Sequence, residues 1–113
     1  MQWPSITSKV KKDPVLEAKI DHILGDMSLE EKIGQMIQPE IRHLTPQDVK
    51  DFHIGSVLNG GGSVPNGNRY SKAADWLAIA DAYYQASMDD SDGYLAIPIM
   101  WGTDAVHGVG NIV

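Results

Sequence analysis

The sequence predicts an α/β fold, with helices in its first half, a βαβ unit in its second, and a sheet that two strands leave incomplete. Three observations predict it. Capping residues followed by apolar positions at helical spacing recur along residues 13–53. The period then changes to a brief β-branched run, Ile54 to Leu58, and a second apolar run follows a long helical stretch in "YLAIPIMWG". Strand, helix and strand in that order imply a right-handed parallel crossover.

Each element carries its own signals. Residues 1–12 form an N-terminal extension, and Asp13-Pro14 then supplies a cap and a first-turn proline. Val15, Leu16, Ile20, Ile23 and Leu24 continue at helical spacing up to Gly25. Ser28 opens a second helix, with Glu31 placed to complete a capping box and Leu29, Ile33, Met36 and Ile37 as its apolar face; it is expected to end near Pro39. Thr45-Pro46-Gln47-Asp48 repeats the cap for a short third helix carrying Val49 and Phe52. The βαβ unit occupies residues 54–113. "NGGGSVPNGN" after its first strand is too rich in turn residues to continue a strand or begin a helix. Ser71 to about Asp89 is the longest helix, with Ala73, Trp76, Leu77, Ala80, Tyr83, Tyr84 and Met88 largely on one side. "DDSDG" breaks it, and "YLAIPIMWG" reads as a buried strand with Pro98 near its start, where a missing amide hydrogen matters least. Parallel sheets are covered on both faces, so two strands need further neighbours.

Composition excludes several classes of function. The 113 residues are 42% hydrophobic and 21% charged, an ordinary balance for a globular domain. A formal charge of −6 and scattered basic residues argue against nucleic acid and anionic lipid as partners. There is no cysteine, hence no disulfide framework or thiolate metal site. No apolar stretch approaches the roughly 20 residues of a membrane span, and "MQWPSITSKVKKDP" lacks the apolar core of a signal peptide. The protein is therefore expected to be cytoplasmic, or to have lost a leader.

Two segments carry candidate chemistry, and in a parallel arrangement both leave the sheet at the carboxyl ends of its strands, where ligands bind. In the first, Gly60, Gly61 and Gly62 fail as a phosphate loop, because Gly67 is followed by Asn68 rather than by lysine, and fail as a dinucleotide fingerprint, because Pro65 stands where a small residue is required. Glycines of this kind either meet a need for positive φ or let a ligand approach the backbone, and taken alone the conformational explanation is favoured. In the second, "GTDAVHG", Asp104 and His107 are too few for zinc, and His22, His43 and His53 form no cluster with them, so no metal or cofactor is expected. No serine near His107 offers a nucleophile elbow. A carboxylate at a strand end either caps the next turn or accepts hydrogen bonds from vicinal hydroxyls. His107 is expected to be structural, its ring bonded to nearby backbone.

Taken together, "MSLEEKIGQM", "IGSVLNGGGSVPNGN" and "IPIMWGTDAVHGVGN" resemble the N-terminal part of family-3 glycoside hydrolases, the β-glucosidases and exo-β-glucanases, from about Asp13 onwards. The "GGGSVP" loop is closest in kind to the exo-glucanase branch. The resemblance implies the first part of a TIM-like (β/α)8 barrel in a retaining enzyme that removes terminal β-D-glucosyl residues from β-glucans or oligosaccharides. It also implies that Asp104 binds hydroxyls of the terminal glucose, that Asn59, Gly60 and Gly61 lie at the same subsite, and that the parent protein is periplasmic or secreted. The family's nucleophile is an aspartate in a later Ser-Asp-Trp-like setting. Ala74-Asp75-Trp76 imitates it, but Asp75 falls inside the long helix rather than at a strand end. The acid/base carboxylate and the sugar-holding Lys-His pair and arginine have no counterpart here, so this chain alone is expected to be inactive and to need the remainder of the barrel. The alternative is a stand-alone carbohydrate-binding or interaction module, for which Trp76, Tyr83 and Tyr84 would be candidate surface residues.

Overall fold

The computed structural model describes Thr7 and residues 9–110. Most of the N-terminal extension and residues 111–113, at the end of the βαβ unit, lie outside the described residues.

Helix α1 spans Pro14–Asp26, and the Asp13 carboxylate accepts from the amides of Val15 and Leu16, at 2.9 and 3.4 Å. Its apolar residues are present as expected, but none of the helix is buried. Helix α2, Leu29–Gly34, begins with the capping box of Ser28 and Glu31. The Glu31 carboxylate also accepts from the Leu95 amide at 2.8 Å, which ties the segment before the second strand to α2.

The expectation that α2 runs to near Pro39 is corrected: it ends at Gly34. The Gly34 carbonyl accepts from Ile37 (3.1 Å) and from Gly55 (3.0 Å), partners outside the regular helical ladder. The tighter bond from Ile37 closes the last turn in 3-10 fashion. A side chain at Gly34 would also meet the Phe52 carbonyl oxygen at 2.2 Å, so only glycine permits this contact. Released from the helix, Pro39 accepts from the Leu58 amide (2.9 Å) and Glu40 forms a parallel bridge with Leu58.

A 3-10 turn at Ile41–His43 leads to helix α3, Pro46–Asp51, opened by the capping box of Thr45 and Asp48. Val49 is buried as the periodicity requires, whereas Phe52 is 62% exposed. Phe52 lies just past the last helical residue, in a conformation that no longer follows the helical face.

Strand β1, Ser56–Asn59, and strand β2, Met100–Thr103, pair in parallel, with Ser56 opposite Met100 and Asn59 opposite Thr103. Helix α4, Ala73–Ser87, connects them, so the βαβ unit stands as expected. The second strand is shorter than "YLAIPIMWG". A ladder extends only as far as its partner: pairing starts where Met100 donates to the Gly55 carbonyl, and the amides of Leu95 and Ile99 go to Glu31 and to the Ser87 hydroxyl instead. Nor is this a buried strand, since Met100 is 71% exposed at its start.

The core lies between the sheet, α3 and α4. It consists of Ile41, Val49, Ile54, Val57 and Tyr83, with Leu44, Trp76, Ile79, Ala86, Ile99 and Trp101 packed around them. Of the predicted apolar face of α4, Tyr83 is buried at 1% exposure, while Leu77 and Tyr84 remain exposed. Among the described residues, the apolar faces of α1, α2 and part of α4 meet solvent, consistent with a sheet that has too few layers to cover them. No described helix is long and apolar enough to cross a membrane.

Candidate functional site at the carboxyl edge of the sheet

The register places Asn59 opposite Thr103, so the next residues, Gly60 and Asp104, leave the same edge of the sheet together. Asn59 binds the two exits. Its carbonyl accepts from the Asp104 amide at 2.9 Å, and its side-chain Oδ1 accepts from the Trp101 indole at 3.0 Å. At 4% exposure, with its oxygen occupied, the Asn59 side chain ties strands rather than facing solvent.

Trp101 itself rests on the core. Its ring lies 5.9 Å from that of Tyr83 and 6.4 Å, edge-on, from that of Trp76. The Tyr83 hydroxyl donates to the Leu44 carbonyl at 2.8 Å, and burial, together with the nearby Asp48 and Glu40 charges, raises its pKa. The aromatics on α4 therefore anchor the loop ends through packing, and only Tyr84 of the candidate surface residues is left largely exposed.

The Asp104 carboxylate is exposed and makes no hydrogen bond within the described residues, so of the two uses open to it, capping of the following turn is not made. That turn is closed by the backbone, with Gly108 donating to Ala105 at 2.9 Å. His107 is exposed, and its ring has no hydrogen-bond partner among the described residues. The structural role expected for it is corrected accordingly.

Gly60 to Ser63 form a turn closed by donation from the Ser63 amide to the Gly60 carbonyl, at 2.9 Å. None of Gly60, Gly61 and Gly62 adopts the left-handed conformation, which among the described glycines is found instead at Gly67, Gly93 and Gly108. A Cβ on Gly61 or Gly62 would meet nothing within 4 Å. The conformational explanation for these glycines therefore fails, and neither crowding nor backbone geometry requires them. What they leave is bare backbone facing open space, on a loop that leaves the sheet at the same edge as the Asp104 loop.

Three neighbours had escaped the sequence reading. Glu40 reaches under the turn, where its carboxylate accepts from the Ser63 hydroxyl and the Gly60 amide, and on its other side from the backbone amide and guanidinium of Arg42. Burial alone would raise the Glu40 carboxyl, but these donors outweigh it and bring the pKa down to about 2. Arg69 lines a shallow cleft with Gly61, Gly62, Val64 and Gly110. Trp101, bonded to Asn59, is the third. A carboxylate directly after Pro39, where a helix was expected to end, was the only signal for Glu40. Asp75 is exposed and accepts from the Lys72 amide at 2.7 Å, a helix-capping contact away from the strand ends, as its placement in the helix implied.

Residues 28–113 match the N-terminal domain of glycosyl hydrolase family 3. The chain belongs to that family. An exo-1,3/1,4-β-glucanase from a Pseudoalteromonas species superposes with a TM-score of 0.86 at 46% identity, over 99% of this chain and 14% of that one. A variant of the same enzyme gives a TM-score of 0.85 at 46% identity, over 99% of this chain and 18% of that one. A lysosomal β-glucosidase of Dictyostelium discoideum is 28% identical over 107 residues, covering 82% of this chain and 13% of that protein. This family-3 chain thus has the α/β fold of the first part of a TIM-like barrel, and it spans under a fifth of the length of these relatives.

Proposed function

We propose that this family-3 chain is the N-terminal part of a retaining β-glucosidase or exo-β-glucanase, acting on terminal β-D-glucosyl residues of β-glucans or oligosaccharides. In this role Asp104 orients the terminal sugar and the catalytic carboxylates come from elsewhere in the enzyme. The observation that carries it is the pairing of an uncommitted, exposed carboxylate with a turn whose glycines nothing in the fold requires. An ionised carboxylate accepts from two adjacent hydroxyls at once, and bare backbone lets a sugar ring lie close against the loop. Retaining hydrolysis needs two carboxyl groups about 5 Å apart, one as nucleophile and one as acid/base. Glu40, the carboxylate that supports the neighbouring turn, is already saturated with donors and is not free to act as a catalytic partner of Asp104. Orientation of the substrate is therefore the role left to Asp104.

The test is hydrolysis of a chromogenic β-glucoside, with the anomeric configuration of the first product followed by NMR. The full-length enzyme that contains this chain is expected to release β-glucose, and the isolated 113-residue chain is expected to release none. Hydrolysis by the isolated, mass-verified chain, or inversion by the full-length enzyme, would overturn the assignment.

A further inference from the structure

We infer that Glu40 is a positioning residue for the sugar subsite: its carboxylate holds the Gly60–Ser63 turn in place, and through that turn fixes the backbone facing the sugar beside Asp104. This rests on the function proposed above and adds to it a residue that does not touch the substrate.

Glu40 is fixed at both ends. Its backbone is locked to the sheet by the parallel bridge to Leu58, on the side of β1 opposite to β2. Its side chain, 19% exposed, commits both oxygens to the chain itself. Oε2 accepts from the Arg42 amide at 2.9 Å and the Arg42 guanidinium at 3.0 Å, and Oε1 accepts from the Ser63 hydroxyl and from the Gly60 amide at 3.4 Å. A carboxylate has about four acceptor sites, so these donors saturate it and leave none for a sugar hydroxyl. Its influence on a ligand must pass through the turn.

The turn needs such a support because of its own composition. Gly61 and Gly62 have no side chains to pack and nothing within 4 Å of where a side chain would begin. Glycine also has the most backbone freedom to lose on ordering. The turn's one buried side chain, that of Ser63, points to Glu40. Charge-assisted hydrogen bonds are roughly twice as strong as neutral ones, so the carboxylate replaces the packing that a glycine loop lacks. A sugar site can thus keep bare backbone toward its ligand and still hold it in one place.

The test uses the full-length enzyme with p-nitrophenyl β-D-glucoside as substrate and glucose as inhibitor, comparing wild type, Glu40→Gln, Ser63→Ala and the double variant. Glu40→Gln keeps the size of the side chain but turns one acceptor into a donor facing donors. Misplacing a positioned group by about 1 Å costs on the order of 100-fold, and a loss of kcat/KM between tenfold and that figure is expected, with glucose inhibition weakened in parallel at a temperature where the variant is still fully folded. The double variant should lose no more than the worse single one, because both release the same turn. Unchanged kcat/KM, additive losses, or a loss that follows only the thermal midpoint while glucose inhibition stays intact would overturn the positioning role. Should Glu40→Gln fail to fold, Ser63→Ala decides alone: reduced kcat/KM at a wild-type midpoint supports the role, and unchanged kcat/KM overturns it. An inactive wild type would instead defeat the proposed function, whereas an active wild type with unaffected variants would defeat only the role of Glu40.

Discussion

Replacing Asp104 by alanine separates binding from folding more cleanly than any other change at this edge. Its backbone amide is held by Asn59, but its carboxylate has no hydrogen-bond partner among the described residues, so truncation removes nothing that the fold uses. If the carboxylate accepts from two sugar hydroxyls, each charged hydrogen bond contributes about 1.5 to 3 kcal/mol, and losing both costs about 3 kcal/mol or more. At about 1.4 kcal/mol per factor of ten, kcat/KM for a chromogenic β-glucoside should fall by on the order of 100-fold or more in the full-length enzyme. The thermal midpoint should stay within about a degree of wild type, as expected for an exposed site away from packing. Asp104→Asn, which keeps an acceptor but loses the charge, should fall between the two. A kcat/KM for Asp104→Ala within twofold of wild type would refute the reasoning, and so would a large drop in thermal midpoint, which would show that the carboxylate supports the fold after all.

Other outcomes follow from the same geometry. Gly61→Val should leave stability almost unchanged, because its Cβ meets nothing, yet weaken glucose inhibition; Gly34→Ala should lower the thermal midpoint sharply, since its Cβ would sit 2.2 Å from the Phe52 carbonyl oxygen. Tyr83→Phe should cost about 1 to 2 kcal/mol in urea unfolding, because the Leu44 carbonyl loses its buried donor. The Glu40 carboxyl has a folded pKa of about 2 against an ordinary 4.5, so its contribution is complete above pH 4.5 and is lost as pH falls through that window. The gap in thermal midpoint between wild type and Glu40→Gln should therefore be flat near neutrality and narrow from pH 4.5 toward 2; a gap that widens on acidification would reverse the sign of the argument.

The local elements were legible in the sequence because their causes are local. Asp13, Ser28 and Thr45 cap helices within a few residues of themselves, and a capping box is written in the chain at fixed spacing. The parallel crossover followed from element order, and the rim residue Asp104 from its place after an apolar run. What failed to show was decided by partners far along the chain. Helix α2 stops at Gly34 because Gly55 takes its carbonyl, and β2 starts only at Met100 because β1 offers nothing earlier to pair with. Apolar periodicity identified helical faces without saying what would cover them, and Phe52, Leu77 and the stripe of α1 remain in solvent.

The candidate site divides in the same way. Its residue types were visible in "NGGGS" and "GTDAVHG", but whether those glycines answered a conformational need depended on backbone angles and on empty space that no spacing records. Glu40 and Trp101 came to the site through contacts spanning 23 and 42 residues, with Ser63 and Asn59 respectively. Sequence by itself determined the starts of the three helices with side-chain caps at Asp13, Ser28 and Thr45, the order of strand and helix, and the carboxylate at the strand end, because propensity, capping and turn chemistry act over a few residues. The longest helix, expected from Ser71, starts at Ala73, since the Ser71 hydroxyl is bonded back to the Asn68 carbonyl. Tertiary structure alone decided where helices end, which faces are covered and which carboxylate supports the loop, because a hydrogen-bonding group satisfied by a distant partner is no longer available to its neighbours.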